Sequence, residues 1–353
     1  MNPRLCPDSI DELVEAVRST PQLLPVGAQT KPRLSQFDGS ILETKRLNGI
    51  IEYDPGEFTF TALAGTPLSE ISAALAERGQ YLPFDPVLEK HGATLGGTVA
   101  AGLSGPGRFR YGGVRDFILG VRFVDGTGQL LHMGGKVVKN AAGFDLPKFL
   151  VGSLGRFGLL VELTFKVFPR PASFLTLRIP FTEINQATRV IAEASRSRWE
   201  LDALDAVLPE RAIYMRIGGP AQANQDLAAE ILARWPGEIV SNAESWWSDI
   251  TEFAWTPAGD VLLKVPLTPT RIPHLCADLP GSAHVHITAG GNTAWISLPP
   301  ANVPALDAKL RELQLSGLIL RGTAPLNLGH WPETALAQRV KVVLDPANRF
   351  PSL

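Results

Sequence analysis

Residues 92–169 read GATLGGTVAAGLSGPGRFRYGGVRDFILGVRFVDGTGQLLHMGGKVVKNAAGFDLPKFLVGSLGRFGLLVELTFKVFP. Glycines in this stretch stand at the joints between apolar runs, where a backbone must turn sharply or approach another group closely. Several such joints in one segment are typical of a site for a large cofactor. The segment therefore predicts a cofactor-binding fold, and the rest of the chain is interpreted around it.

The composition restricts the class of protein. A chain of 353 residues with 45% hydrophobic and 19% charged residues is long enough for two domains. Its 33 basic and 35 acidic residues give a net charge of -2, without the basic excess of nucleic-acid-binding proteins. No apolar run reaches the ~20 residues of a membrane span, and the first residues do not read as a signal peptide. We therefore expect a cytoplasmic protein that contacts a membrane only through partners.

The two cysteines also limit the chemistry. Cys6 and Cys276 are too few for the four thiolates that usually hold an iron-sulfur cluster, and they do not form a disulfide framework. Any iron-sulfur cluster that works with this chain must therefore belong to another subunit.

Before the glycine-rich stretch, the sequence alternates between strand and helix patterns. Ser9 and Glu12 form a capping box that predicts a first helix. Short strands follow at residues 22–26, 41–42 and 47–53, and residues 58–64 (FTFTALA) predict another.

A second helix follows that strand, with Thr66 as its cap and Pro67 in the first helical position. Leu68, Ile71 and Leu75 are expected to face inward, and Gly79 to end this helix. After Pro169 the glycine density falls, which predicts a domain boundary near residue 170.

The usual phosphate-binding motifs do not match. A Walker loop needs Ser or Thr after Gly-Lys, but Val137 follows Lys136 and has no hydroxyl. A Rossmann fingerprint needs G-x-G-x-x-G, and the glycines of residues 92–102 do not have that spacing. Two other loops, residues 27–31 (GAQTK) and 94–98 (TLGGT), can aim backbone N–H groups at a diphosphate. Each loop alone would more often be an ordinary turn, so the ordered set carries the prediction.

The motifs in this order resemble the FAD-binding domain of the vanillyl-alcohol oxidase and p-cresol methylhydroxylase (PCMH-type) superfamily over roughly residues 5–170. Within it, YDPGEFTFTALAGTPLSEISAALAERGQYLPFDP, GATLGGTVAAGLSGP, YGGVRDFILG, GGKVVKNAAGFDL and GSLGRFGLLVELTFKVFP are similar to the FAD-binding subunits of bacterial glycolate oxidase. The resemblance implies an α+β fold: a PCMH-type domain of two α/β subdomains (residues 1–170), then a smaller α+β domain (171–353) serving as cap, substrate or subunit-interface domain.

The resemblance also implies the cofactor site. The two loops would contact the diphosphate, Ser104 and Gly105 would follow on the flavin side, and residues near Gly158 would contact adenine or flavin. FAD is expected to bind non-covalently, because the first loop has no His or Cys at the attachment position of some relatives. The expected cofactor-binding residues are Val26, Gly27, Ala28, Gln29, Thr30, Lys31, Pro83, Asp85, Thr94, Leu95, Gly96, Gly97, Ala100, Ser104, Gly105, Tyr111, Gly112, Gly158, Leu160 and Val161.

The implied function is that of an FAD-binding subunit in a heteromeric complex that oxidises glycolate, and D-lactate as a second substrate, to the 2-oxo acid. A catalytic flavoprotein subunit and an iron-sulfur subunit are the implied partners. A non-catalytic FAD-binding assembly or electron-relay subunit is one alternative, and a sugar or aldonolactone oxidase of the same superfamily is another. No catalytic residue is assigned.

Other candidates carry alternatives. Arg110 or Arg115 could anchor a substrate carboxylate or form structural pairs. His284 and His286, at i and i+2 of a predicted strand, could bind a metal, but half-buried histidines are the better interpretation, so no metal is predicted. Trp246, Trp247 and Trp255 could line a cavity, an interface or the core. The loop with Lys136, Lys139 and Asn140 could face a partner or be a solvated turn.

Overall fold

The computed structural model describes residues 3–135, 144–332 and 334–352. The predicted loop with Lys136, Lys139 and Asn140 lies outside the described residues. No helix in the described part of the chain is long and apolar enough to cross a membrane.

Helices and strands alternate through the first part of the chain, and longer strands dominate the second. The helices are α1 (Ile10–Ser19), α2 (Leu68–Ala76), α3 (Leu95–Ala101), α4 (Arg108–Tyr111), α5 (Leu146–Leu150), α6 (Ile184–Arg196), α7 (Ala221–Arg234), α8 (Ala243–Thr251), α9 (Ile272–Cys276), α10 (Val303–Glu312) and α11 (Ala335–Leu344). The strands are β1 (Arg4–Leu5), β2 (Leu23–Val26), β3 (Ser40–Glu43), β4 (Ile50–Asp54), β5 (Thr59–Leu63), β6 (Gln80–Tyr81), β7 (Ile118–Val124), β8 (Leu130–Gly134), β9 (Leu159–Lys166), β10 (Phe168–Pro169), β11 (Ser173–Pro180), β12 (Leu201–Val207), β13 (Ala212–Gly219), β14 (Glu238–Ile239), β15 (Val261–Pro266), β16 (His284–Thr288), β17 (Thr293–Leu298), β18 (Ser316–Arg321) and β19 (Asn327–Gly329).

The first half contains a parallel and an antiparallel sheet. Strands β1, β3 and β2 pair in parallel in that order, and β4, β5, β9, β7 and β8 form an antiparallel sheet. Leu13 and Val17 of α1 are buried in a core with Val124 and Val161, so α1 packs where the two sheets meet. The predicted Ser9 cap is confirmed, because Ser9 Oγ accepts the Glu12 N–H at 3.2 Å. The second bond of the predicted capping box is absent from the described structure: the Glu12 carboxylate accepts the N–H of Asp8 at 2.9 Å, one residue before the cap.

One predicted helix start is wrong. Pro67, not Thr66, is the N-cap of α2. The Thr66 hydroxyl donates to the Leu63 carbonyl at 2.7 Å and accepts the Gly49 N–H at 2.9 Å, because the end of β5 and the neighbouring loop also need polar partners. The side chain therefore fixes the end of a strand. The three apolar residues predicted on the inner face of this helix, Leu68, Ile71 and Leu75, are buried.

The second half is built on a nine-stranded antiparallel sheet in the order β14-β11-β13-β12-β16-β17-β15-β18-β19. Side chains alternate between its two faces. One face forms a core with helices α6, α7, α9 and α10. From the other face, Leu262, Trp295 and Leu320 enter a core shared with residues of the first half. Part of this face therefore meets the first half of the chain, whereas another part, with Ala203 and Tyr214, packs against Trp247 of α8.

The C-terminal segment returns to the first half of the chain. Lys341 donates to Asp345 Oδ2 at 2.6 Å and to the carbonyl of Phe350 at 3.0 Å, and the Leu23 N–H donates to the Arg349 carbonyl at 2.8 Å. The sheets change over where the boundary was expected, since β10 ends at Pro169 and β11 begins at Ser173. The two-domain division itself stays a prediction.

Candidate functional site

The first loop begins where β2 ends. The Thr44 N–H donates to the Val26 carbonyl at 2.9 Å, which fixes the end of β2 against β3. Residues 27–31 then leave the sheet and lead into a 3-10 helix at Pro32–Ser35. Gln29 has a φ of 55°, in the left-handed region that non-glycine residues rarely adopt. Such turns point successive N–H groups to one side, a geometry that suits an anion.

The N–H groups of this loop are free of protein partners. Ala28, Gln29, Thr30 and Lys31 donate no backbone hydrogen bond to any acceptor in the described ranges. Backbone donors without protein partners need water or a ligand, because burying them unpaired is costly. Four consecutive donors therefore offer a binding site for a polyanion.

The second loop differs, because its donors are already paired. Leu95 donates to the Thr66 carbonyl at 2.9 Å, Gly96 to the Ala64 carbonyl at 2.8 Å, and Gly97 to Thr94 Oγ1 at 3.2 Å. These bonds tie the start of α3 to the end of β5. Of the two predicted loops, only the first keeps its N–H groups available in this structure.

The glycines of the second loop instead allow close approach. A Cβ atom on Gly96 would lie 2.7 Å from the Ala64 Cβ, and one on Gly27 would lie 2.2 Å from Thr94 Oγ1. Both distances are far below van der Waals contact, so a side chain at Gly96 would push α3 away from the end of β5, and one at Gly27 would push the two loops apart. The absence of side chains keeps the loops in contact.

Lys31 adds a positive charge beside the free N–H groups. Its side chain is 6% exposed and donates to Thr30 Oγ1 at 3.0 Å. No carboxylate of a described residue forms an ion pair with Lys31, and burial lowers the pKa of its ammonium to about 8. A buried ammonium without a counter-ion favours an anionic ligand.

The loops enclose two adjoining cavities. Thr94, Gly97 and Ala100 line the first together with all of the first loop, and Gly96, Gly158 and Leu160 line the second. The first cavity is also lined by Pro25, Val26, Leu34, Ser35, Ala101 and Leu154. The second is also lined by Pro25, Val26, Gly27, Thr44, Ala64, Gly97, Ala100, Ser153 and Gly155. Sequence reasoning missed nine lining residues: Pro25, Leu34, Ser35, Thr44, Ala64, Ala101, Ser153, Leu154 and Gly155. For Ser153, Leu154 and Gly155 the available signal was the motif GSLGRFG, of which only the end was used.

Eight predicted residues do not line these two cavities: Pro83, Asp85, Leu95, Ser104, Gly105, Tyr111, Gly112 and Val161. Leu95 and Val161 are core residues. Ser104 Oγ accepts the Val114 N–H at 2.9 Å, and the Tyr111 hydroxyl donates to Asp202 Oδ1 at 3.1 Å.

Asp85 belongs to a separate cleft of about 1050 Å³. Its carboxylate pairs with Arg216 at 2.6 Å and accepts the Gly107 N–H at 2.7 Å. The Arg216 guanidinium lies between the rings of Phe174 and Trp247, 5.4 and 5.0 Å from their centroids. Sequence reasoning missed Arg216. A charged residue within the apolar strand sequence IYMRIG was the available signal.

The other candidates occupy structural positions. Arg110 donates to Asp202 Oδ1 at 2.9 Å and pairs with Glu200 at 2.6 Å, whereas Arg115 is exposed. His286 is buried, and its Nε2 lies 2.7 Å from Asp205 Oδ2. Within the described ranges, no group of three or more His, Cys, Asp or Glu side chains could hold a metal ion.

The predicted tryptophan cluster packs against the second sheet. Trp246 contacts Trp247 with ring centroids 4.7 Å apart, and it stacks on Tyr214. Trp255 lies 6.0 Å from the His286 ring, and Trp247 also lines the cleft of Asp85. The cluster therefore combines core packing with one cavity wall.

Comparisons with known proteins agree with this geometry. The family model described as an FAD binding domain matches residues 4–134. The glycolate oxidase subunit GlcE of Escherichia coli is 36% identical over 97% of this chain and 94% of its own length. The glycolate oxidase subunit GlcD of Bacillus subtilis is 30% identical over 54% of this chain and 42% of its own length.

Among solved structures, an alkyldihydroxyacetonephosphate synthase superposes with a TM-score of 0.71 at 15% identity, covering 99% of this chain and 77% of that one. This similarity confirms the predicted fold class over both halves of the chain. The family match confirms the predicted FAD-binding domain and, with it, FAD as the cofactor.

Proposed function

The chain belongs to the family of the glycolate oxidase subunit GlcE, and we propose that it is an FAD-binding subunit of a complex that oxidises glycolate to the 2-oxo acid. D-lactate is the proposed second substrate. The similarity spans almost the full length of both chains, so it includes the second half of the chain as well as the cofactor domain.

One observation carries the cofactor assignment: buried Lys31, which forms no ion pair with a described residue, lies beside four backbone N–H groups that donate to no acceptor in the described ranges. Lys31 and the N–H groups of residues 28–31 face the first cavity, where they suit the diphosphate of FAD. Neither cavity has a His or Cys in its walls, which supports non-covalent binding. Gly27 and Gly97 line this cavity and add no side chains to its wall.

We assign the remaining predicted residues by their positions. Thr94 and Ala100 would form the wall of the diphosphate site, and Gly96, Gly158 and Leu160 would contact the adenosine half. Ser104 would lie towards the flavin. We also propose the division at residue 170 into a cofactor domain and a second domain that covers it.

The flavin, when bound, supplies the acceptor for the hydride that leaves the α-carbon of the hydroxy acid. The chain binds and orients that cofactor. Its second sheet packs against the first half of the chain, because Leu262 and Trp295 enter a core shared with residues of that half.

The proposed partners are a catalytic flavoprotein subunit and an iron-sulfur subunit of the same complex. Two relatives with different subunit names, GlcE and GlcD, support a complex of several chains. With only two cysteines in this chain, the four thiolates that usually hold a cluster would have to come from a partner, which supports an iron-sulfur subunit.

An absorption spectrum tests the proposal. The purified chain should be yellow, release FAD on acid precipitation, and lose its flavin absorbance under anaerobic glycolate, alone or together with its partner subunits. Release without bleaching, even with the partners present, would favour an assembly or relay role. A colourless chain that cannot be loaded with FAD would contradict the central assignment.

A further inference from the structure

Lys264 reaches from the second sheet to the first domain. It lies in β15, where Val261, Leu263 and Val265 face the helices of the second half. Lys264 alternates with them and so lies on the opposite face, with Leu262. Its Nζ donates to the carbonyl of Gly102 at 3.3 Å. The lysine therefore crosses the contact between the two halves of the chain.

Gly102 places this ammonium next to the proposed cofactor site. It ends helix α3, directly after Ala100 and Ala101, which line the diphosphate cavity. Ala100 also lines the adenosine-side cavity, so Gly102 follows a wall that the two cavities share. A flavin that continues from the diphosphate along α3 would bring its ring towards Lys264.

The positive charge at this position has no ion-pair partner among the described residues. No Asp or Glu of the described ranges forms a salt bridge with Lys264 or with Arg108. Burial lowers the pKa of Lys264 to about 8, and the positive charge of Arg108 acts in the same direction. The Arg108 guanidinium lies near Ser104, since a Cβ on Gly113 would be 3.0 Å from both side chains, and the Gly113 N–H donates to Asp116 Oδ2 at 2.9 Å. Two cations without an ion-pair partner in the described ranges therefore lie close enough to repel each other.

The two arginines that the sequence suggested as carboxylate anchors do not provide a buried, unpaired cation. Arg110 is occupied by Asp202 and Glu200, and Arg115 is exposed. A carboxylate needs cationic donors that are free and shielded from water. Trp295 lies directly opposite Lys264 on the neighbouring strand and on the same face, so the lysine stands beside a buried aromatic ring.

We infer that Lys264, with Arg108 beside it, binds the carboxylate of the 2-hydroxy acid at the flavin end of the cofactor cavity. The inference rests on the proposed function and adds the residues that hold the substrate. Lys264 is the main anchor because its ammonium projects from the covering sheet, whereas Arg108 strengthens the positive field.

Oxalate is the probe, because it carries carboxylates but has no hydrogen to transfer. The FAD-loaded full chain is titrated with oxalate, and the perturbation of the flavin absorption is measured in the parent, Lys264→Met, Lys264→Arg and Arg108→Gln. Lys309→Met is the matched control, because Lys309 lies on α10 and pairs with Asp278 at 2.7 Å. The KM and kcat for glycolate are then measured in the assembled complex.

Lys264→Met should weaken oxalate binding by about 10–100-fold and raise the KM for glycolate more than it changes kcat, as expected for a lost charge-assisted bond. Lys264→Arg should retain most of the affinity, Arg108→Gln should show a smaller loss, and Lys309→Met should behave as the parent. Oxalate binding by Lys264→Met within about twofold of the parent overturns the inference.

The outcomes separate the two proposals. If the parent binds FAD and is reduced by glycolate while Lys264→Met binds oxalate normally, only the substrate anchor is wrong. If Lys264→Met loses FAD, the oxalate titration of Arg108→Gln and Lys264→Arg tests the inference in its place. Loss of FAD from all three assigns these cations to the cofactor and overturns the inference. A parent that does not take up FAD contradicts the proposed function itself.

Discussion

Replacing Lys31 with methionine removes a buried charge that has no counter-ion in the described structure. The folded pKa of about 8 lies below the ordinary value of 10.5, so the folded protein binds this proton less well than the unfolded chain. At ~1.4 kcal/mol for each pKa unit, the charged lysine costs the FAD-free protein roughly 3 kcal/mol below pH 8. The cost decreases as the pH rises from about 8 to about 10.5.

Lys31→Met should therefore stabilise the FAD-free chain at pH 7 by up to about 3 kcal/mol, and this gain should vanish above about pH 10.5. FAD binding should change in the opposite direction. Loss of a charge-assisted contact to the diphosphate should weaken the affinity about 10–100-fold at pH 7. In the parent, the affinity should fall as the pH rises above about 8, the pKa of Lys31 in the FAD-free protein, because FAD binding must then return the proton to the lysine.

Urea unfolding of the FAD-free chain between pH 7 and pH 10.5 measures the first effect, and quenching of FAD fluorescence measures the second. Lys45→Met is the control: its side chain is 58% exposed and pairs with Glu43, so its removal should change stability by less than about 1 kcal/mol. If Lys31→Met is less stable than the parent at pH 7, or binds FAD equally well, the assignment of Lys31 to the diphosphate is refuted.

Three further changes test the packing around the site. Gly96→Val should lower the free energy of unfolding by about 1–3 kcal/mol in urea, because its Cβ would meet Ala64; a variant as stable as the parent would contradict the close approach of α3 to the end of β5. Arg216→Met should lower it by about 3 kcal/mol by leaving the carboxylate of Asp85 unpaired, and adding Asp85→Asn should restore part of the loss; equal losses in both variants would disprove the coupling. Lys341→Met should speed hydrogen exchange in the C-terminal segment, and unchanged exchange would show that its hydrogen bonds do not hold that segment.

The sequence alone determined the class of the cofactor domain. Its glycines stand at joints between apolar runs, and the order of its motifs indicated the family before any contact was known. Local signals also placed the Ser9 cap of α1 and the buried face of Leu68, Ile71 and Leu75. Such features depend on residues a few positions apart, so spacing is enough to predict them.

The tertiary structure decided which groups at the site are free to act. The N–H groups of Leu95 and Gly96 are occupied by carbonyls of Thr66 and Ala64, some thirty residues earlier in the chain, and no local pattern reveals that pairing. The same applies to Lys264, whose contact with Gly102 depends on how two distant sheets meet. Sequence shows which side chains are available, whereas long-range pairing and register decide which of them lose their partners and lie at a common site.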